Sequence, residues 1–199
     1  RRQQGAASGG RVLELGAGLG VLGLALAQVL RGTGARLVMS DYDTAVLEAL
    51  RANARLNCAS LTDAEVPTVA MVDFRDFGGP AVLAPSELAE KYAGHVGAYD
   101  CIVAADVVYE HSHATLSSVI AALLRAPAAG DGRGPCALIM IPDSRPARQA
   151  FVDYARDVDG FRVEVSPLDQ GCGLLRRLRA THSGLNSEQS FSLYTLTRP

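Results

Sequence analysis

The stretch 12-VLELGAGLGVLGLAL-26 decides how the chain is read, because it sets three glycines between an apolar run and a helix-like pattern. Val12 to Leu15 reads as a short buried strand, and Val21, Leu24, Ala25 and Leu26 resume with an apolar face at helical spacing. The loop between them is a strand-to-helix turn. Gly16, Gly18 and Gly20 let the backbone take positive φ and approach a ligand without Cβ interference, while the following helix offers unpaired N–H groups. Two phosphate-binding loops are excluded: G-x-G-x-x-G requires glycine where Val21 stands, and no G-K-[ST] follows. An acid, Glu14, just ahead of the glycines suits a cationic ligand better than a pyrophosphate.

The remaining pattern, E-x-G-x-G-x-G, resembles the nucleoside-binding turn of class I S-adenosylmethionine methyltransferases, whose ligand carries an amine and a sulfonium but no phosphate. A Gly-rich turn is also an ordinary way to close a tight α/β connection, so the rest of the chain has to carry the argument.

Strands and helices alternate along the whole chain. After the first helix come 36-RLVMS-40, a helix from Asp43 through Asn57 presenting Ala45, Val46, Ala49, Leu50, Ala52 and Leu56, and a third strand, 66-VPTVAMV-72. Ser86 is a plausible N-cap of a short helix through Tyr92. The fourth strand, 99-YDCIVAA-105, leads to a helix with Leu116, Val119, Ile120, Leu123 and Leu124, and the fifth, 136-CALIMI-141, to a helix from Arg145 to Val158. Strands 161-FRVEVS-166 and 190-SFSLYTLT-197 follow with no convincing amphipathic helix between them. Near-continuous apolar strands alternating with helices indicate a parallel sheet covered on both faces, and the missing last helix lets the seventh strand return antiparallel. The expected fold is α/β and Rossmann-like: six parallel strands plus one antiparallel terminal strand, in a single domain over residues 1–199.

Composition agrees. A chain of 199 residues can bury about 70% of its unfolded surface without a staple. Cys58, Cys101, Cys136 and Cys172 form no C-x-x-C, so neither a zinc site nor a redox pair is expected, and reduced thiols fit a cytoplasmic or nuclear protein. No apolar run reaches the roughly 18 residues of a membrane span. A net charge of −2 provides no broad basic field for nucleic acid. One lysine, Lys91, stands against eighteen arginines, a bias to which no function is attached.

In an open α/β sheet the ligand lies outside the carboxyl ends of the strands, beside the first. Strand two ends in 40-SDYD-43, where Asp41 is placed to accept from ribose hydroxyls and Tyr42 to lie against adenine; the alternative for Asp41 is a helix N-cap, which Asp43 could equally supply. Strand three ends in 72-VDFRDF-77: Asp73 could accept from the adenine amino group and Phe74 could cover the ring, with Asp76 read as a loop carboxylate. Strand four ends in 104-AADVVYEHS-112, where Asp106 and Tyr109 would face the transferable methyl group; an N-cap aspartate beside a half-buried tyrosine is the structural alternative. His111 and His113 read as solvated loop residues.

E-L-G-A-G-L-G, the aspartate after strand two, V-D-F after strand three and A-D-V-V-Y after strand four together resemble the seven-β-strand protein lysine methyltransferases of the methyltransferase-16 family. The resemblance runs from Arg11 to Arg198. It implies a cofactor, S-adenosyl-L-methionine (product S-adenosyl-L-homocysteine), held by Glu14, Gly16, Ala17, Gly18, Gly20, Asp41, Tyr42, Asp73, Phe74 and Ala105. It implies catalytic Asp106 and Tyr109 from the D-x-x-Y motif, no metal, and an acceptor protein carrying the target lysine. The chain departs from the family in having Phe74 where members usually have tryptophan, and in having no tryptophan at all. The tryptophan-bearing N-terminal segment usual in the family is therefore expected to be missing. A monomer is expected, with no membrane partner.

The chemistry asked of such a site is alignment. A free lysine has a pKa near 10.4 and must be neutral to attack, so Asp106 is better understood as a group that positions the entering ammonium than as a strong base. A small-amine N-methyltransferase and a non-catalytic interaction module remain alternatives, since fold does not fix function. Methylation of bases is disfavoured, because the motif after strand four is not N/D-P-P-[YF]. The connection 167-PLDQGCGLLRRLRATHSGLNSEQS-190 is long, and Arg176, Arg177 and Arg179 within it could contact an acidic patch on the acceptor.

Overall fold

The computed structural model describes residues 9–130, 134–168 and 190–199. The described residues form seven strands: β1 (Arg11–Glu14), β2 (Arg36–Asp41), β3 (Thr68–Met71), β4 (Cys101–Ala105), β5 (Cys136–Pro142), β6 (Arg162–Pro167) and β7 (Phe191–Thr197). Between them lie α1 (Val21–Val29), α2 (Thr44–Asn57), a 3-10 turn (Phe74–Phe77), α3 (Pro85–Lys91), α4 (His113–Leu123) and α5 (Arg148–Asp157). The strands join in one sheet in the order β3-β2-β1-β4-β5-β7-β6. β7 runs antiparallel to β5 and β6, and every other pairing is parallel, as the expected arrangement requires.

Successive residues of a strand face opposite sides of the sheet, and the two cores follow from this. Leu37 and Met39 of β2 pack with Ala27, Leu50 and Ala54 from α1 and α2. Val38 packs on the other side, in the larger cluster of Leu13, Ile102, Ile139, Leu116, Ile120 and Phe151 under α3, α4 and α5. The buried face of α2 is Leu47, Leu50 and Ala54, whereas Leu56, expected on that face, is 77% exposed. The i, i+3, i+7 stripe of those three residues selects the true face, because one helix can bury only one stripe against the sheet.

Three boundaries differ from expectation for local reasons. α3 begins at Pro85, whose missing N–H and preset φ suit the first helical position, so Ser86 lies inside the helix and Glu87 accepts the Ala84 N–H. β3 is limited to Thr68–Met71, the residues that pair with Val38–Asp41 of β2. Arg145 lies in a turn before α5: its N–H bonds Pro142 O, and Pro146 follows. Among the described residues no helix is long and apolar enough to cross a membrane. The strand order places β1 between β2 and β4, so their carboxyl ends open one crevice beside the glycine turn.

Candidate functional site

The glycine turn is held from both sides. Ala17 N–H donates to Ser40 O at 2.8 Å, Gly18 N–H to Asp41 Oδ2 at 3.1 Å, and Leu15 N–H to Val103 O at 2.9 Å. All three glycines have positive φ, 63°, 55° and 87° at Gly16, Gly18 and Gly20. The neighbours of each differ. A Cβ on Gly16 would come 2.7 Å from Val107 Cγ1, and one on Gly20 2.5 Å from Leu50 Cδ1, so these two allow close packing. A Cβ on Gly18 would meet nothing within 4 Å, which makes it the glycine that borders open space.

A cleft of about 580 Å³ opens beside this turn, within the size range of small-molecule sites. Gly16, Asp41, Tyr42, Asp73, Phe74 and Tyr109 line it, contributed by the carboxyl ends of β1 to β4. Asp43 caps α2 by accepting from Ala45 and Val46 N–H, so Asp41 is released from that duty. Asp41 instead accepts from Gly18 N–H at Oδ2 and from Tyr42 and Asp43 N–H at Oδ1. A carboxylate has about four acceptor sites, and the one left is on Oδ2.

Asp73 is more encumbered. Both of its oxygens accept from the Arg75 guanidinium, at 2.6 to 3.1 Å, and this pairing holds its carboxyl below the usual range. Arg75 also lies over the Tyr42 ring, 5.7 Å from its centroid. Arg75 lines the cleft and was not signalled by any motif.

The segment after β4 explains its own spacing. Val107 and Val108 are buried, one against Gly16 and the other in the main core, so Asp106 and Tyr109 flank two apolar anchors and stay at the surface. Asp106 takes a φ of 56°, rare for a residue with a Cβ, and its N–H bonds Met140 O of β5. It is not a helix cap: α4 starts at His113 behind Ser112. Its carboxylate receives Nε and Nη2 of Arg145, each at 2.7 Å. The same guanidinium sits 5.1 Å from the Tyr109 ring centroid, and the His111 ring lies nearly parallel to the Tyr109 ring with centroids 6.1 Å apart. Tyr109 and His111 both line the cleft. Asp106 and Arg145 do not, and they connect to it through the Arg145 guanidinium over the Tyr109 ring.

Two carboxylates are placed differently from expectation. Glu14, expected to help hold the cationic cofactor, does not line the cleft: it is 3% exposed, tucked beneath α1, with one carboxylate oxygen unpaired. Burial pushes its carboxyl up to about 7, partly opposed by the Gly23 N–H and reinforced by Asp41. The reason is alternation along β1: Leu13 packs in the larger cluster on one face of the sheet, so Glu14 turns to the opposite face, against Gly23 of α1. Asp76 is not a loop carboxylate either. It is buried, and it accepts from Lys91 Nζ at 2.6 Å and from the Tyr92 hydroxyl. Burial and Asp76 together raise the Tyr92 hydroxyl well above its ordinary value. Ala17, Gly18, Gly20 and Ala105 adjoin the site through the backbone of the turn and of β4 and do not line the cleft themselves. Arg176, Arg177 and Arg179 lie outside the described residues.

This donor set fits S-adenosylmethionine: a free acceptor site on Asp41, aromatic faces from Tyr42 and Phe74, and open space at Gly18. The fold is that of known methyltransferase structures. A TehB-like SAM-dependent methyltransferase from Corynebacterium glutamicum superposes with a TM-score of 0.57 at 15% identity, over 98% of this chain and 83% of that one. Fibrillarin from Aeropyrum pernix, solved with natively bound S-adenosyl-L-methionine, gives 0.60 at 16% identity over 96% and 67%. A predicted O-methyltransferase from Agrobacterium tumefaciens gives 0.61 at 16% over 94% and 73%. No curated protein matches the sequence. The lysine methyltransferase family profile matches residues 2–129. The chain therefore belongs to the lysine methyltransferase family, and its cofactor is S-adenosylmethionine.

Proposed function

We propose that the protein transfers a methyl group from S-adenosylmethionine to the side-chain amine of a lysine in an acceptor protein. The observation that carries this reading is the placement of the D-x-x-Y segment. Val107 packs on Gly16, which brings Tyr109 into the wall of the cleft, and the Arg145 guanidinium bridges that ring to the Asp106 carboxylate. A carboxylate and an aromatic ring side by side form a subsite for an alkylammonium ion.

When bound, the cofactor supplies an activated methyl on a sulfonium, so the protein has to position groups rather than generate a nucleophile of unusual strength. Asp41 would hold a ribose hydroxyl on its remaining acceptor site, and Tyr42 and Phe74 would offer their rings to the adenine. Asp73 takes the adenine amino group only by sharing oxygens with Arg75. Asp106 would receive the lysine ammonium and Tyr109 would orient its nitrogen, while the proton passes to water and leaves the amine neutral. The family profile supports lysine as the acceptor class. The test is transfer of labelled methyl into a proteome, with the labelled residues mapped by mass spectrometry, comparing wild type with Asp106→Ala. Label on lysine that disappears in the variant is the expected result; label on free amines alone would reject the protein-lysine reading.

A further inference from the structure

The pair Asp106–Arg145 is more than a surface ion pair. Arg145 donates two parallel hydrogen bonds to both oxygens of Asp106 and lays its guanidinium over Tyr109. Those are the two groups that would receive the acceptor's ammonium. The guanidinium is thus a cation of this chain already seated where a substrate cation must go. Its seat is built by the backbone on both sides. Asp106 is aimed by its left-handed φ and by its bond to Met140 O. Arg145 is aimed by its own turn, where Asp143 is held by Arg148 and Ser192. The side chains are 46% and 33% exposed, so the pair can part without leaving a charge stranded in the core.

We propose that Arg145 is a built-in competitor for the acceptor cation, and that it selects acceptors with an acidic side chain beside the target lysine. This rests on the reading that Asp106 receives the acceptor ammonium. The argument is one of exchange. When a lysine takes Asp106, Arg145 gives up a bidentate partner, and a lone guanidinium is left against an incoming cation. An Asp or Glu next to the lysine re-pairs that guanidinium, so two ion pairs replace one. An acceptor with a neutral neighbour makes no such repayment, and one with a basic neighbour adds repulsion.

The test uses the whole chain saturated with S-adenosylhomocysteine and titrated with n-butylammonium, a mimic of the lysine side chain. Arg145→Gln is expected to bind it about fivefold more tightly than wild type, the scale of an exposed ion pair. Arg162→Gln, which removes the same charge from the exposed start of β6 without touching Asp106 or the turn that carries Arg145, is expected to show no gain. In methyl-transfer assays on synthetic peptides carrying Asp, Ser or Arg beside one lysine, wild type is expected to show the lowest KM for the Asp peptide. Arg145→Gln is expected to lose that preference with kcat little changed, and Arg145→Lys, which keeps the charge without the fork, to fall between. Equal n-butylammonium affinity in wild type and Arg145→Gln overturns the proposal. So does an equal gain in Arg162→Gln, an acidic preference that survives Arg145→Gln, or a fall in kcat at constant KM, which would make Arg145 an aligner of Asp106. Tighter n-butylammonium binding with no lysine labelled in any peptide or protein has a different meaning: the cation competition then stands for small amines, while the acidic-neighbour selection and the protein-lysine reading fall.

Discussion

Glu14 and Gly23 share one space: a Cβ built on Gly23 would come 2.3 Å from Glu14 Oε2, and 2.5 Å from Met39 Sδ. Gly23 lies inside α1, where glycine is a poor helix former, and its value is the room it leaves for a buried carboxyl. Gly23→Ala should therefore destabilise the fold by about 1–3 kcal/mol despite the better helix propensity of alanine, because the clash outweighs it. Urea unfolding is the check, and a variant as stable as wild type would mean that Glu14 and Met39 move aside freely.

The same burial makes Glu14 a source of pH dependence. Its carboxyl rises from an ordinary value of 4.5 to about 7, so the folded state holds a proton that the unfolded chain releases. The stabilising contribution is fully present below pH 4.5 and is lost as pH rises towards 7, a loss on the order of 3 kcal/mol. Glu14→Gln removes the titration while keeping shape. The stability difference between variant and wild type should move in favour of the variant across that window and level off above it. A difference that stays flat from pH 4.5 to 7.5 would contradict the buried, protonated carboxyl.

Asp41→Ala should weaken S-adenosylhomocysteine binding by about 1–3 kcal/mol, since the ribose loses its acceptor and the Gly18 N–H loses a partner together. Isothermal calorimetry at fixed pH decides this. Unchanged affinity would take Asp41 out of the cofactor site.

Asp106→Asn keeps the shape of the side chain and removes the charge. Product affinity should stay near wild type while methyl transfer falls by about two orders of magnitude or more, the scale of a lost charge-assisted contact in a reacting complex. Tyr109→Phe, which keeps the ring, should be milder. Single-turnover rates with saturating cofactor separate the two effects, and an Asp106→Asn rate equal to wild type would rule out its positioning role.

The ends of the strands were readable because sequence and site coincide there. Asp41 ends β2, and Tyr42, Asp73, Phe74 and Tyr109 lie within four residues of a strand end, so the parallel sheet brings all of them to one edge. Partners contributed from elsewhere in the chain were not readable. Arg145 follows β5 by three residues and reaches back 39 positions to Asp106, and Lys91 reaches Asp76 from a separate helix. No spacing rule links such residues, because the contact depends on how two turns face each other. Arg75 is only two residues from Asp73, yet its bidentate grip depends on the 3-10 turn that folds it back.

By itself the sequence determined the alternation of strands and helices, the glycine turn and the identity of the strand-end residues, since these depend on local propensity and on periods of two and 3.6 residues. Tertiary structure alone decided the burial of Glu14 and Asp76, the stripe of α2 that faces the core and the guanidinium on Asp106. Burial and ion pairing are set by which surfaces meet, and meeting surfaces come from segments that the chain brings together only when the sheet closes.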